Sequence, residues 1–172
     1  MPLHKAAGGD AAAFASLVRQ HQSPLRGFLL RLTRGDHALA DDLAQETFIE
    51  AYRKLAQYDG RGAFAGWLYA IAWSRFRMAV RKRRPDAQGD EDVPDTAAPA
   101  SGGSEARLDL EKAMAKLAPA ERASLTLCFA LGMSHEEAAM TLKLPLGTLK
   151  SHVARGREKL KTLLAAWERE AQ

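Results

Sequence analysis

Apolar residues return every three or four positions along most of this chain, and nowhere do they alternate in the two-residue rhythm of a strand. Phe14, Leu17, Val18, Leu25, Phe28, Leu29 and Leu32 predict a helix over 11–33, capped by Asp10 and ended at Gly35, with Pro24 kinking or restarting it. Asp36 caps a second helix over 37–58, whose inward positions are Leu39, Leu43, Phe48, Ile49, Tyr52 and Leu55. After the turn Asp59-Gly60-Arg61-Gly62, a third helix over 64–83 turns Phe64, Trp67, Leu68, Ile71, Ala72, Phe76, Ala79 and Val80 to the core. Beyond a break, Ser104 caps a fourth helix with Leu108, Leu110, Ala113, Met114 and Leu117, and a fifth over 119–131 carries Leu125, Leu127, Cys128 and Leu131.

The pattern is most informative over 132–164. Ser134 followed by Glu137 has capping-box spacing, and Ala138, Ala139 and Leu142 follow as apolar positions. Lys143-Leu144-Pro145 breaks the run, with the proline suited to the start of a new helix and Gly147 read as a point of close approach. Leu149, Val153, Gly156 and Leu160 then form an inward stripe, leaving Thr148, Lys150, Ser151, His152, Ala154, Arg155 and Arg157 as the candidate reading face. Two short helices, the second with small, polar and basic residues outward, form a helix-turn-helix pattern. Lys150 and Arg155 can donate to phosphates or guanine edges, Ser151 can reach either, and Ala154 offers a methyl-sized contact. A basic amphipathic hairpin docked on another protein would show the same pattern.

Two other helical faces carry candidate chemistry. Asp41, Asp42, Gln45, Glu46 and Glu50 make the first half of the second helix acidic, which serves either a solvated face matched to the helix dipole or a docking surface. Tyr69, Trp73, Arg77 and Arg81 recur every four residues on the third helix. Bases of a single strand could stack on the aromatics while the arginines hold phosphates. The alternative is that Tyr69 and Trp73 pack against a neighbouring helix and the basic end, through Arg84, is a solvated terminus.

Composition sharpens the outline. The chain has 172 residues, 47% hydrophobic and 27% charged, with a net charge of +4, which suits a globular protein with an anionic partner. Residues 61–84 contain seven basic and no acidic side chains, whereas 85–106 contain six acidic and no basic ones. The stretch 85–104, rich in Pro, Gly, Ser and Asp with almost no large apolar residue, reads as a flexible acidic linker. The fold class is therefore all-α, two small helical bundles joined by that linker.

The lone Cys128 reads as a buried structural thiol. No apolar leader or membrane span is visible, so the expected location is the cytoplasm, without membrane insertion. His135-Glu136-Glu137 lacks the second histidine of a zinc-protease helix, because Ala139 holds that place. No phosphate-binding glycine loop is present, and nothing in the order of the residues sets a nucleophile beside a base. Neither a cofactor, a metal nor an enzymatic activity is expected.

The runs DDLAQETFIEAYRKL, FAGWLYAIA with a basic stretch after it, and LAPAERASLTLCFALGMSHEEAAMTLKLPLGTLKSHVARGREKL resemble the small bacterial RNA polymerase sigma factors of the extracytoplasmic-function type. The resemblance implies that residues 1–84 form region 2 and 105–172 form region 4. It implies that the face from Asp41 to Glu50 docks on the clamp helices of the largest subunit of core RNA polymerase, with the flap as a further contact. It further implies that the third helix, with Tyr69, Trp73, Ser74, Arg77, Arg81 and Arg84, recognises and melts the minus-ten element of promoter DNA. The helix after Pro145 would read the minus-thirty-five element, and an anti-sigma factor would be a further partner. Three positions depart from the family: Trp73-Ser74 stand where Arg-Asn is frequent, and Met78 stands at a usual aspartate. A free-standing duplex-binding regulator and a sigma-mimicking interaction module are the rival readings.

Overall fold

The computed structural model describes residues 10–59, 63–83 and 104–170. Among them every regular element is helical: α1 (Ala11–Leu32), α2 (His37–Lys54) with a 3-10 turn at Leu55–Gln57, α3 (Phe64–Arg83), α4 (Glu105–Ala115), α5 (Pro119–Leu125) continued by a π turn at Thr126–Ala130, α6 (His135–Leu142) and α7 (Leu146–Glu170). The expected turn at 60–62, the expected linker over 85–103 and Arg84 lie outside the described residues.

Local chemistry sets the boundaries. Asp10 accepts from the backbone N–H groups of Ala12 and Ala13, and Asp36 accepts from that of Leu39. Pro24 neither ends nor restarts α1; it sits on the exposed side, where the carbonyl it strips of a partner faces solvent. Gly35 closes the α1–α2 turn at φ 85, a left-handed conformation that glycine adopts without a Cβ clash. Arg26 of α1 then donates to Asp41 of α2 at 2.5 Å, tying the hairpin on its outer side.

Packing departs from two separate bundles in one respect. α1, α2 and α3 form the N-terminal half and α4–α7 the C-terminal half, but a single apolar core runs through both. Leu25, Phe28, Leu29, Leu32, Leu68, Tyr69, Ala72 and Trp73 share it with Ala123, Leu127, Ala138, Ala139, Leu142 and Leu149. A smaller cluster of Met114, Leu117, Leu125 and Val153 belongs to the C-terminal half alone. Each fully buried large apolar side chain contributes roughly 1.5–3 kcal/mol relative to exposure, so the shared core is a substantial part of what orders the molecule. Ile49 (51% exposed), Tyr52 (48%) and Leu110 (41%), expected inward, lie on the surface instead. The apolar stripes of α2 and α4 are narrower than their sequence counts suggest.

Candidate nucleic-acid interface

The helix-turn-helix is assembled by backbone bonds that the sequence supplies. Ser134 accepts from the N–H of Glu137 at 3.1 Å, and Glu137 accepts from the N–H of Ser134 at 2.8 Å, closing the capping box at the start of α6. α6 ends with Lys143 at φ 54, and Leu144 N–H donates back to the Ala139 carbonyl at 2.9 Å, the six-to-one bond of a Schellman ending. Pro145 stands just before α7 and its carbonyl accepts from Leu149. Leu149 and Val153 are buried, and Leu160 is half-buried. Gly156 is the point of close approach, since a Cβ there would lie 2.8 Å from Leu125 Cδ1. Gly147 has open space around it, so the close approach belongs to the opposite face, nine residues further on.

With that stripe inward, Thr148, Lys150, Ser151, Ala154, Arg155 and Arg157 are all exposed. Lys150 with Ala154 and Ser151 with Arg155 form two adjacent lines four residues apart, a face about 7 Å long that matches two base-pair steps. Ser151 donates to the Gly147 carbonyl and keeps lone pairs free as acceptors. Arg155 is steered by two neighbours: its Nη2 lies 3.1 Å from His152 Nδ1, and its Nε lies 4.0 Å from Glu121. His152 is half-buried and supports the arginine from the side. Glu121, almost fully buried, also takes both 2.9 Å bonds from Lys159 and so anchors α7 to α5. Arg157 leans over the ring of Phe129 at 5.7 Å, off the line of the other four.

On α2 the acidic residues separate into two groups. Asp41 pairs with Arg26, and that hydrogen bond holds its carboxyl below the usual carboxylate range. Glu50 is partly buried; burial works against its charge, but hydrogen bonds from Lys54 and Arg75 outweigh it and lower the carboxyl overall. Both therefore serve the fold internally. Asp42, Gln45 and Glu46 are exposed, and Ile49 and Arg53 continue the same side of the helix. Ile49 is the residue this face gains: it stands seven residues from Asp42 and three from Glu46, spacing that already set it on their line rather than inward.

The expected open stripe on α3 is corrected. Tyr69 is 3% and Trp73 5% exposed. Tyr69 meets Phe28 edge-on at 5.2 Å, and burial pushes its phenol up to about 12. Trp73 stacks on Phe76 at 5.7 Å, and its indole Nε1 is buried with no hydrogen-bond partner among the described residues. The aromatics pack, as the alternative reading had it: both belong to the core that α3 shares with α1 and α6. Ser74, Arg77 and Arg81 remain exposed, as does Met78 at 56%. Arg83, two residues past Arg81, faces Asp36 at 3.8 Å.

Comparisons with known proteins bear on both halves. Residues 17–85 match the model of Sigma-70 region 2, and 107–160 match that of Sigma-70 region 4. The RNA polymerase sigma-H factor of Pseudomonas aeruginosa is 34% identical over 95% of this chain and 92% of its own length. The chain belongs to the extracytoplasmic-function sigma factors of bacterial RNA polymerase. The factor of that type named SigE from Mycolicibacterium smegmatis is 39% identical over 92% of this chain, which spans 65% of that longer protein. The structure also resembles the sigma factor RpoE of Bartonella quintana, solved in complex with the anti-sigma factor NepR: 32% identity, TM-score 0.76, covering 88% of this chain and 96% of that one.

As a member of this family the protein takes part in promoter-specific transcription initiation. The chemistry exposed on α7 is side-chain donors and small groups on a helix. Among the described residues no His, Cys, Asp or Glu cluster could hold a metal, and no helix is long and apolar enough to cross a membrane. Cys128 is half-buried, and burial raises its thiol above the ordinary value.

Proposed function

We propose that this sigma factor docks on core RNA polymerase through the outward face of α2 and reads promoter DNA with two separate surfaces. Asp42, Gln45 and Glu46, with Ile49 at the centre, form the docking face for the clamp helices of the largest subunit, while Asp41 and Glu50 shape it from within. Lys150, Ser151, Ala154 and Arg155, with Thr148 at the entry of α7, read the minus-thirty-five element as duplex. His152 positions Arg155 rather than touching a base, and Arg157 supports the edge of this face. The α3 face carrying Ser74, Arg77 and Arg81 engages the minus-ten element, with Arg84 continuing its basic end.

The observation that carries this reading is the pairing, in one chain, of an exposed acidic face on α2 with a helix-turn-helix whose second helix turns Thr148, Lys150, Ser151 and Arg155 outward. A free-standing duplex-binding regulator has no use for the first. Capturing unpaired bases lowers the free energy of melted DNA: stacking is worth about 1–3 kcal/mol per base, against a few kcal/mol to unstack a step. The Bartonella quintana relative was solved with an anti-sigma factor, and an inhibitor of that kind is the expected partner of this chain outside transcription. Run-off transcription from genomic fragments by core polymerase, with and without the protein, tests the reading. Transcripts that start at shared sequence elements only when the protein is added support it; an unchanged transcript set rejects it.

A further inference from the structure

A single carboxylate of α5 lies beneath two cations of α7. Glu121 is 3% exposed. Both of its oxygens accept from Lys159 Nζ at 2.9 Å, and Oε1 faces Arg155 Nε at 4.0 Å. Oε2 also accepts from the backbone N–H of Ala118 at 3.2 Å, so the group is fixed from its own helix as well. Gly156 makes the reach possible. Arg155 and Lys159 stand four residues apart on one line of α7, and the buried glycine beside them opens the helix surface. A Cβ at Gly156 would lie 3.5 Å from Glu121 Cβ.

The two cations are held differently. Lys159 is clasped by both oxygens. Arg155 keeps a side chain 59% exposed; its Nε faces Glu121, its Nη2 lies 3.1 Å from His152 Nδ1, and its Nη1 engages neither. A guanidinium is planar, so restraining two of its three nitrogens sets the plane in which the remaining donors lie. An unrestrained arginine on an exposed face takes whichever phosphate is nearest, and that contact carries no sequence information. A guanine edge instead asks for a fork already in plane with it. The carboxylate also repels phosphate, which weakens backbone contacts on every sequence alike.

We propose that Glu121 is a specificity-determining positioning residue for α7: it orients the Arg155 fork toward a base edge and withholds both Arg155 and Lys159 from the phosphate backbone. It touches no DNA itself. The proposal rests on the minus-thirty-five reading of α7 and extends it to a residue outside the helix-turn-helix. Its effect is a trade, with weaker binding to arbitrary duplex and sharper discrimination at the base that Arg155 reads.

Glu121→Gln tests this, because glutamine keeps the shape and an acceptor for Ala118 while removing the charge. Full-length chains are titrated by fluorescence anisotropy against two labelled duplexes. One is the upstream element of a promoter obtained by run-off selection, with its single-base variants; the other is a scrambled duplex of equal length. The variant is expected to bind the scrambled duplex more tightly, with the slope of log K against log salt steeper by about 0.9 for each cation released to a phosphate. Its discrimination at one base position is expected to fall at least about fivefold, the low end of what a bidentate contact confers. In an Arg155→Ala background the same change should cost no further discrimination. Lys159→Met, which breaks the tie between α5 and α7 but leaves the carboxylate beside Arg155, should keep discrimination intact. Equal discrimination by the parent and Glu121→Gln overturns the proposal, as does a uniform loss of affinity on both duplexes. A loss in Lys159→Met as large as that in Glu121→Gln reduces the effect to a loosened α7 and also overturns it. A parent chain that binds selected and scrambled duplexes alike overturns the minus-thirty-five reading itself, and the role of Glu121 with it.

Discussion

The guanidinium of Arg122 donates to the carbonyl oxygen of Leu32 at 2.8 Å, joining residues 90 positions apart in sequence. It also reaches the Arg31 carbonyl at 3.1 Å and, through Nη2, that of Leu117 at 2.8 Å. The last carbonyls of α1 lack intrahelical partners and carry the negative end of the helix dipole, so a cation satisfies them twice over. Burial, with repulsion from Arg34 behind it, pushes the guanidinium down to about 10, and it stays charged at neutral pH. Arg122→Met keeps the volume but strips the two buried carbonyls of Leu32 and Leu117 of this donor. The expected loss is about 2–4 kcal/mol in urea unfolding, and an unchanged midpoint would contradict this role for Arg122 in joining the two halves.

Acid should loosen the N-terminal half first. The folded-state pKa values of Asp41 and Glu50 are lowered, so the unfolded chain binds more protons and stability rises with pH across that window. Their contribution is complete above the ordinary carboxylate range and drains away as pH falls below about 5. Denaturant titrations between pH 7 and pH 3 should show a shallower pH slope for the double variant Asp41→Asn, Glu50→Gln. Parallel slopes would exclude these two pairs as its source.

Gly156→Ala separates packing from propensity. Alanine gains about 1 kcal/mol of helix propensity over glycine, but its methyl would stand 2.8 Å from Leu125 Cδ1 and 3.3 Å from Cγ, and such overpacking costs roughly 1–3 kcal/mol. The net expectation is a loss of about 1 kcal/mol in thermal unfolding, whereas Gly147→Ala, in open space, should gain stability.

These residues also mark what the amino-acid order disclosed. The capping box of Ser134 and Glu137 and the Leu149–Val153–Gly156 stripe are local signals, legible because each partner lies within a few positions. The seat of Trp73 is not local: it lies in a core shared with a helix more than sixty residues away, and spacing by four is the same whether a stripe faces solvent or another domain. Arg122 has no periodic signature, since what it satisfies is the end of a helix in the other half. Lys143 at φ 54 hides the turn from a search for glycine, and Ile49 lies on the surface because its place on the line of Asp42 and Glu46, not its apolar character, sets its side of the helix.

Arg155→Ala should weaken binding to a minus-thirty-five duplex by about 1–3 kcal/mol and relax specificity at the base it reads. Electrophoretic mobility shifts on a panel of single-base variants check both. Uniform weakening across the panel would reassign Arg155 to phosphate contact, and unchanged affinity would remove it from the interface.

Glu46→Lys reverses a charge within the proposed docking face, beside Ile49, without touching the core. Affinity for core polymerase should fall at least about tenfold. Stability should stay within about 0.5 kcal/mol of the parent, as befits a surface substitution. Asp41→Lys, by contrast, should act mainly on stability through the lost Arg26 pair.

Permanganate reactivity of thymines in the non-template strand measures strand opening directly. On a promoter obtained by run-off selection, core polymerase with this protein should produce a reactive patch at the minus-ten element, absent with either component alone. Unreactive thymines with both present, on DNA that the protein demonstrably binds, would leave a duplex binder and contradict the account.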